Sequence, residues 1–581
     1  KPASAHRRWR IAVIGAVTVL AAGIGLVLGL TVLPGRGSSP LGTSASYVPA
    51  QAVMYMEARL DLPAGQRGSL RIILERFPGI DADDLLTDAL ADTLDDALAG
   101  SNLPIDYSGD IAPWFDGRVA VALLDYPLSM DPTTTMELPS AAALVGVRDA
   151  AAAGAFTDRL RQELEAQAFG ATFTSSEHSG VTIWTLEADA GTVGLSSNQE
   201  LAFALTGDQL LLANGQDTIE TLLDVHAGSA SLAQRDELRD VSVHLPAEWV
   251  GVATIDVAAM LDQVRTGLES ADPALRELMD VYLDAVPGFA VSTIGFQDDA
   301  VRIDGVSTLP SGDVAPSNSR RELAASVPGD AIFFADGANV GPGLTQSITA
   351  LRAALAASEG SESALEGLRQ AEAALGADLE EFVSWIGSGA MAAGWDGEQP
   401  YGGLVLEAAD PAAAAQRLGQ LRALVELAAM DPSTQVEVST ADVNGVEVTT
   451  IRVSTDATIS GSLPVSKVVV QYALDGETAV IGFGDRFVGR ALAIEAGQSL
   501  ADTDRYAVAI DRFGGDDNAG AFFLDLVALR EALETAVGDL DTSGVYEAQI
   551  KPNVEPLDYF AGVTRVEGAA LISRYGLVLR P

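Results

Sequence analysis

Chemistry in a protein begins with side chains that hold a proton, a metal or a nucleophile, and this sequence offers few arranged to do so. It has four histidines and no cysteine. His6 sits in a basic N-terminal tail, His178 in a Ser/Gly turn, His226 at the expected end of a helix, and His244 just before Leu245-Pro246. No pair has the spacing that brings two imidazoles to one metal, so zinc is not expected. The lack of cysteine removes disulfides, thiol nucleophiles and cysteine-ligated metals together. A serine hydrolase would need a G-x-S-x-G elbow, and a phosphate-cradling loop would need G-x-x-x-x-G-K-[ST]; neither occurs. The run GFGDRFVG from Gly482 follows a strand pattern and opens a helix pattern. It lacks the third glycine of a dinucleotide loop and reads as a plain strand-to-helix turn.

Carboxylates are the abundant chemistry. Asp81, Asp83 and Asp84 cluster, as do the acids of DRFGGDDN from Asp511 to Asn518. Neither run has the EF-hand spacing, and both read as solvated acidic faces. Trp114 and Trp385 each lead into a strand and read as core rather than as an exposed ridge. No catalytic, cofactor-binding or metal site is assigned, no cofactor is expected, and an enzyme is not the expected class.

The elements that carry these residues are organised by one uncharged stretch, Ile11 to Leu33. Its 23 residues make roughly 34 Å of helix, enough to cross a bilayer core of about 30 Å. Lys1, Arg7, Arg8 and Arg10 precede it, so the expectation is a cytoplasmic N-terminus and a large extracytoplasmic region. A cleaved signal peptide ending near Ser44-Ala45-Ser46 is the competing reading, and the apolar run is long for one. Ala21, Gly25 and Gly29 form a small-residue face that suits helix pairing. Although every charge among the first 36 residues is basic, the whole chain carries a net charge of −46. So acidic a surface repels phosphate backbones and anionic head groups, which argues against nucleic acid and against peripheral membrane docking.

Downstream, short alternating runs separated by Ser-Gly, Gly-Asp and Asn-Gly turns predict a meander of antiparallel strands, among them 53–60, 142–147, 181–186, 201–206, 210–213, 250–255, 290–296 and 301–306. Helices are expected at 66–77, at 81–98 with one leucine and one acidic face, around Phe156, Leu160 and Leu164, and at 217–225. The order then starts again. Asp110, Trp114 and Asp125 are matched by Glu381, Trp385 and Asp396, each 271 positions later. GVTIWTL from Gly180 is echoed by GVEVTTI from Gly445, and Asp256 in TIDVAAML by Asp525 in FLDLVALR. The expected fold class is α+β: a tandem duplication of a unit with a mainly antiparallel sheet covered by amphipathic helices, preceded by one transmembrane helix. Its parts are a basic tail (1–10), the membrane segment (11–33), a linker (34–46), a first repeat (47–309), a linker (310–325) and a second repeat (326–581).

RLDLPAGQRGSLRIILERFPG (Arg59 to Gly79) and SGDIAPWFDGRVAVAL (Ser108 to Leu123) resemble a bacterial family of domains of unknown function, number 3352. The second repeat departs from its Asp-x-x-x-Trp-x-x-Gly box, with Ser388 where the first has Gly117. The resemblance implies one N-terminal membrane helix and an extracytoplasmic α+β region, and it implies no activity. The expected role is non-catalytic binding or scaffolding at the cell envelope. The alternatives are a carrier or binder of a lipid or other apolar ligand, and an envelope enzyme of unidentified class. Expected partners are the lipid bilayer, through residues 11–33, and an envelope protein or an apolar ligand.

Overall fold

The structure is a computed structural model that describes residues 41–78, 105–125, 139–167, 172–187, 201–267, 288–309, 315–320, 322–357, 361–430, 435–454, 467–537 and 546–580, with the short pieces 80, 82, 94–95, 458–459 and 463–464. The apolar stretch 11–33 and most of the expected helix 81–98 lie outside the described residues. The chain divides into two compact units, one reaching to residue 308 and the other running from 309 to 580.

In the first unit the strands are β1 Met54–Arg59, β2 Phe115–Leu123, β3 Ala141–Val147, β4 Thr172–His178, β5 Val181–Glu187, β6 Leu201–Leu205, β7 Gln209–Ala213, β8 Gly251–Asp256, β9 Phe289–Gln297 and β10 Ala300–Thr308. Its helices are α1 Ala64–Leu74, α2 Ala150–Gln167, α3 Gln216–Ala227, α4 Asp236–Ser242 and α5 Val257–Gly267. The strands pair antiparallel in the order β4-β5-β6-β7-β3-β2-β1-β8-β9-β10.

The second unit contains β11 Ala331–Gly337, β12 Ile386–Trp395, β13 Pro400–Ala408, β14 Val436–Val443, β15 Val446–Ser454, β16 Lys467–Asp475, β17 Thr478–Phe483, β18 Gly520–Asp525, β19 Leu557–Glu567 and β20 Ala570–Leu579. Its helices include α6 Val340–Ala357, α7 Glu362–Leu375, α8 Pro411–Ala429, α9 Phe487–Leu492, α10 Asp504–Phe513 and α11 Leu526–Val537. Here the antiparallel order is β14-β15-β16-β17-β13-β12-β11-β18-β19-β20. Strand for strand, this is the order of the first unit. Local chemistry repeats as well: Ser179-Gly180 and Asn444-Gly445, all at positive φ, make the two-residue turns that match the twist of the β4–β5 and β14–β15 hairpins.

One face of each sheet is closed. In the first unit Tyr55, Ala122, Leu144, Ile183, Ala204 and Leu211 are fully buried on it, and α3 and α4 contribute Ile219, Leu222, Leu238 and Val241 to the core. In the second, Tyr506 of α10 packs edge-on against Phe334 and Phe523, with ring centroids 5.6 and 5.5 Å apart. On the opposite face, cover is partial. Trp114 and Phe156 seat α2 against Val145 and Leu210, and Trp385 and Ala414 seat α8 against Leu406 and Ala479.

These observations correct the expected fold class. Among the described residues the long antiparallel ladders take in twenty strands, ten from each unit, a far larger sheet than the helix-covered unit expected, and Ile255, Ile303, Met391 and Phe483 on its second face remain exposed. The expected cover was inferred from amphipathic periodicity, which shows that a helix has an apolar side but not which strands that side reaches. Among the described residues no helix is long and apolar enough to cross a membrane.

A carboxylate clamp joins strand to helix in both units. Asp256 ends β8; its Oδ1 accepts the Ala259 N–H at 2.8 Å at the start of α5, and its Oδ2 accepts Arg235 Nη1 at 2.6 Å. Asp525 ends β18 and accepts the Val527 and Ala528 N–H groups at 3.0 and 2.9 Å, with Arg505 Nε donating at 2.6 Å. Removing such a group loses a helix cap and leaves a guanidinium poorly paired. Asp256→Ala is expected to cost about 3 kcal/mol in urea unfolding, whereas Glu75→Ala, which removes the exposed partner of Arg71, should cost less than about 0.5 kcal/mol. Equal small losses would show that the clamp does not hold the junction.

Candidate apolar binding face

Because successive side chains of a strand point to opposite faces, a sheet with one closed face presents every second residue on the other. In the first unit the register aligns Met54 with Ile255, Met56 with Ala253 and Ser292, and Ile294 with Ile303 on that open face. The small residues Gly251 and Ala253 lie between the longer Met56 and Ile294, and the hollow they leave is an open depression of about 200 Å³, also lined by Ser292 and Ile303. Its lining is mostly apolar, as in small-molecule sites.

In the second unit the open face carries Met391, Leu404 and Ile481 in one register row, and Phe483 at the end of β17. Met391 is 48 % exposed and Phe483 59 % exposed. Beside them runs a row of rings across neighbouring strands: Phe333 meets Phe522 edge-on at 5.6 Å, Phe522 meets Phe560 edge-on at 5.5 Å, and Phe560 stacks with Tyr575 at 6.2 Å. Phe333, Phe522 and Phe560 are half-buried. Edge-to-face pairs add to the area they bury and hold the row in place.

Beneath the open face of the first unit lies an unusual buried acid. Glu57 is 1 % exposed. Its Oε2 accepts the Gly42 N–H and the Tyr55 hydroxyl, each at 2.7 Å, while Oε1 has no hydrogen-bond partner. A Cβ on residue 42 would stand 1.9 Å from that oxygen, so the close approach requires glycine. Burial pushes the Glu57 carboxyl above its usual range; the Tyr55 and Gly42 hydrogen bonds, then the charges of Arg59 and Arg118, offset part of that rise.

The residues singled out from sequence do not converge. His6, Asp81, Asp83 and Asp84 lie outside the described residues. His178 on β4 bonds Asp224 of α3 at 2.6 Å, an interaction that raises its pKa, and His226 stacks on the buried Tyr47 ring at 3.9 Å. His244 follows α4. In the acidic loop, Asp516 pairs with Arg320 at 3.4 Å, and residues 517–518 form a short bridge with 319–320. Among the described residues, no group of three His, Asp or Glu could hold a metal ion. Trp114 and Trp385 are 3 % and 4 % exposed and belong to the core. The GFGDRFVG run joins β17 to α9. The open face was missed from sequence; its signal, apolar residues at both phases of β1, β8 and β11, was present but ambiguous.

A carboxyl whose folded pKa is raised lends stability at low pH that is lost as pH rises through that pKa. Wild-type protein should therefore lose stability relative to Glu57→Gln as pH rises above the usual glutamate range. Parallel pH profiles in urea unfolding would contradict the assignment of this acid as a buried, destabilised carboxylate.

The model of the DUF3352 family, proteins of unknown function, matches residues 12–557. No curated protein matches the chain. Two solved structures of TP0453, crystal forms I and III, align at 9 % and 10 % identity over 48 % and 46 % of this chain and 82 % and 81 % of theirs, with a TM-score of 0.23 each. That score carries no inference.

Proposed function

The chain belongs to the DUF3352 family of proteins of unknown function, and from that premise we propose that it is a non-catalytic binding protein of the cell envelope that takes apolar molecules on the open faces of its sheets. The observation that carries this reading is the half-exposed apolar face itself, with its depression in the first unit and its ring row in the second. Contiguous apolar surface on a protein this acidic is costly to keep in water and marks an interaction site. The net charge of −46 favours an isolated apolar ligand over an anionic membrane surface as its occupant.

Attachment to the cell membrane through residues 11–33, with the N-terminus cytoplasmic and both units extracytoplasmic, is the arrangement that the length and basic flank of that stretch support. A protein held there would meet apolar molecules as they leave or enter the bilayer. Binding or scaffolding in general is thereby narrowed to the binding of an apolar molecule.

Nile red, whose fluorescence rises in apolar surroundings, tests the reading directly. Wild-type protein should bind it saturably, and the double variant Met391→Asp, Phe483→Asp should bind about tenfold more weakly, because a carboxylate on each side of the contact must be desolvated. A wild-type protein that leaves the dye dark would overturn the proposal.

A further inference from the structure

The ring row of the second unit does not end in apolar surface. Tyr575 stands opposite Gly562 across the β19–β20 ladder, and a Cβ on Gly562 would fall 2.2 Å from the Tyr575 ring. The absence of a side chain there lets the ring lie across the sheet, stacked on Phe560 with an interplanar angle of 14°. Its hydroxyl thereby comes within 3.0 Å of Thr564 Oγ1, which is itself 3.1 Å from the hydroxyl of Ser573, the residue directly opposite Thr564 in the register. All three residues are half-buried.

We propose that Thr564, Ser573 and Tyr575 form the polar end of an apolar ligand site and receive an uncharged, hydroxyl-bearing head group while the rings of Phe560, Phe522 and Phe333 hold the attached apolar chain. The proposal rests on the apolar-ligand reading above and gives that ligand a chemical class. Three hydroxyls bring three donors and six acceptor lone pairs. The two hydrogen bonds among them use two donors and two lone pairs, so the triad retains a donor and several acceptors for a group that both gives and takes a hydrogen bond. An alcohol does both. A carboxylate only accepts, and it needs a cation in a site of low polarity. The strands that carry the triad do not place one beside it: Arg565 and Arg574 alternate onto the other face, where Arg565 donates to the Gly514 carbonyl at 2.6 Å.

The experiment displaces Nile red from the full chain, held in an amphipathic polymer at about pH 8, with decanol or with decanoate. Decanol should act at about tenfold lower concentration than decanoate, the discrimination expected of one well-made hydrogen bond set against an unpaired charge. Tyr575→Phe keeps the ring and removes the hydroxyl; together with Thr564→Val it should reduce that preference to less than about threefold, and an undiminished preference in this variant would overturn the head-group assignment. Phe560→Ala should weaken both competitors alike. Equal potency of the two competitors on wild-type protein would overturn the head-group assignment and leave the apolar-ligand reading standing. Failure of the dye to bind at all would overturn both.

Discussion

A pleated strand has two faces, and what is decided on one constrains the other. In both units the closed face is settled by side chains with almost no exposure, Tyr55, Leu144 and Leu211 in the first and Phe334, Val405 and Ala561 in the second. That close packing fixes the strand registers, because slipping a strand by one residue would turn its whole inner set outward. The open face then follows. It is neither chosen for solvation nor fully covered: α2 and α8, seated by Trp114 and Trp385, and α1, whose Leu70 and Leu74 pack with Ile294 and Phe296, reach part of it, and Ile255, Ile303, Met391 and Phe483 stay exposed.

Charge enters the closed face on strict terms. Asp256 is acceptable there because it caps a helix and accepts from Arg235, whose guanidinium lies 4.1 Å over the Phe289 ring. Arg505 and Asp525 repeat the arrangement, with Asp558 as a second acceptor at 2.8 Å. Glu57 is less well provided for, with one oxygen doubly bonded and the other unpaired. Its position fastens residue 42 to β1, so the entry of the chain into the first unit is tied to an acid that pays for its burial in a raised pKa.

Much of the strand layout was legible in the sequence. GVTIWTL and FALTGDQLLLANGQD show β5, β6 and β7 to within a residue or so, because Ser-Gly, Gly-Asp and Asn-Gly turns punctuate them. The helix expected around Phe156, with Asp149 as the cap near its start, begins at Ala150, and Asp149 caps it through the Ala151 and Ala152 N–H groups at 3.0 Å. What could not be read was which face is open. In VMYMEARL the binary pattern would send Glu57 and Arg59 to solvent and Met54 and Met56 to the core; the structure does the reverse. Alternation reveals a period, and where both phases hold apolar residues it does not reveal a direction. The ring row was equally hidden, since Phe333 meets Phe522, and Phe522 meets Phe560, only through pairing between strands separated in sequence.

Native mass spectrometry of the full chain, purified from the membranes of its own host and freed of detergent in the gas phase, tests most directly whether the open faces are occupied. The account predicts a retained adduct of a discrete, uncharged apolar molecule that is reduced in the Met391→Asp, Phe483→Asp variant. A bare polypeptide mass for the wild-type protein, or an adduct that the variant keeps unchanged, would contradict it.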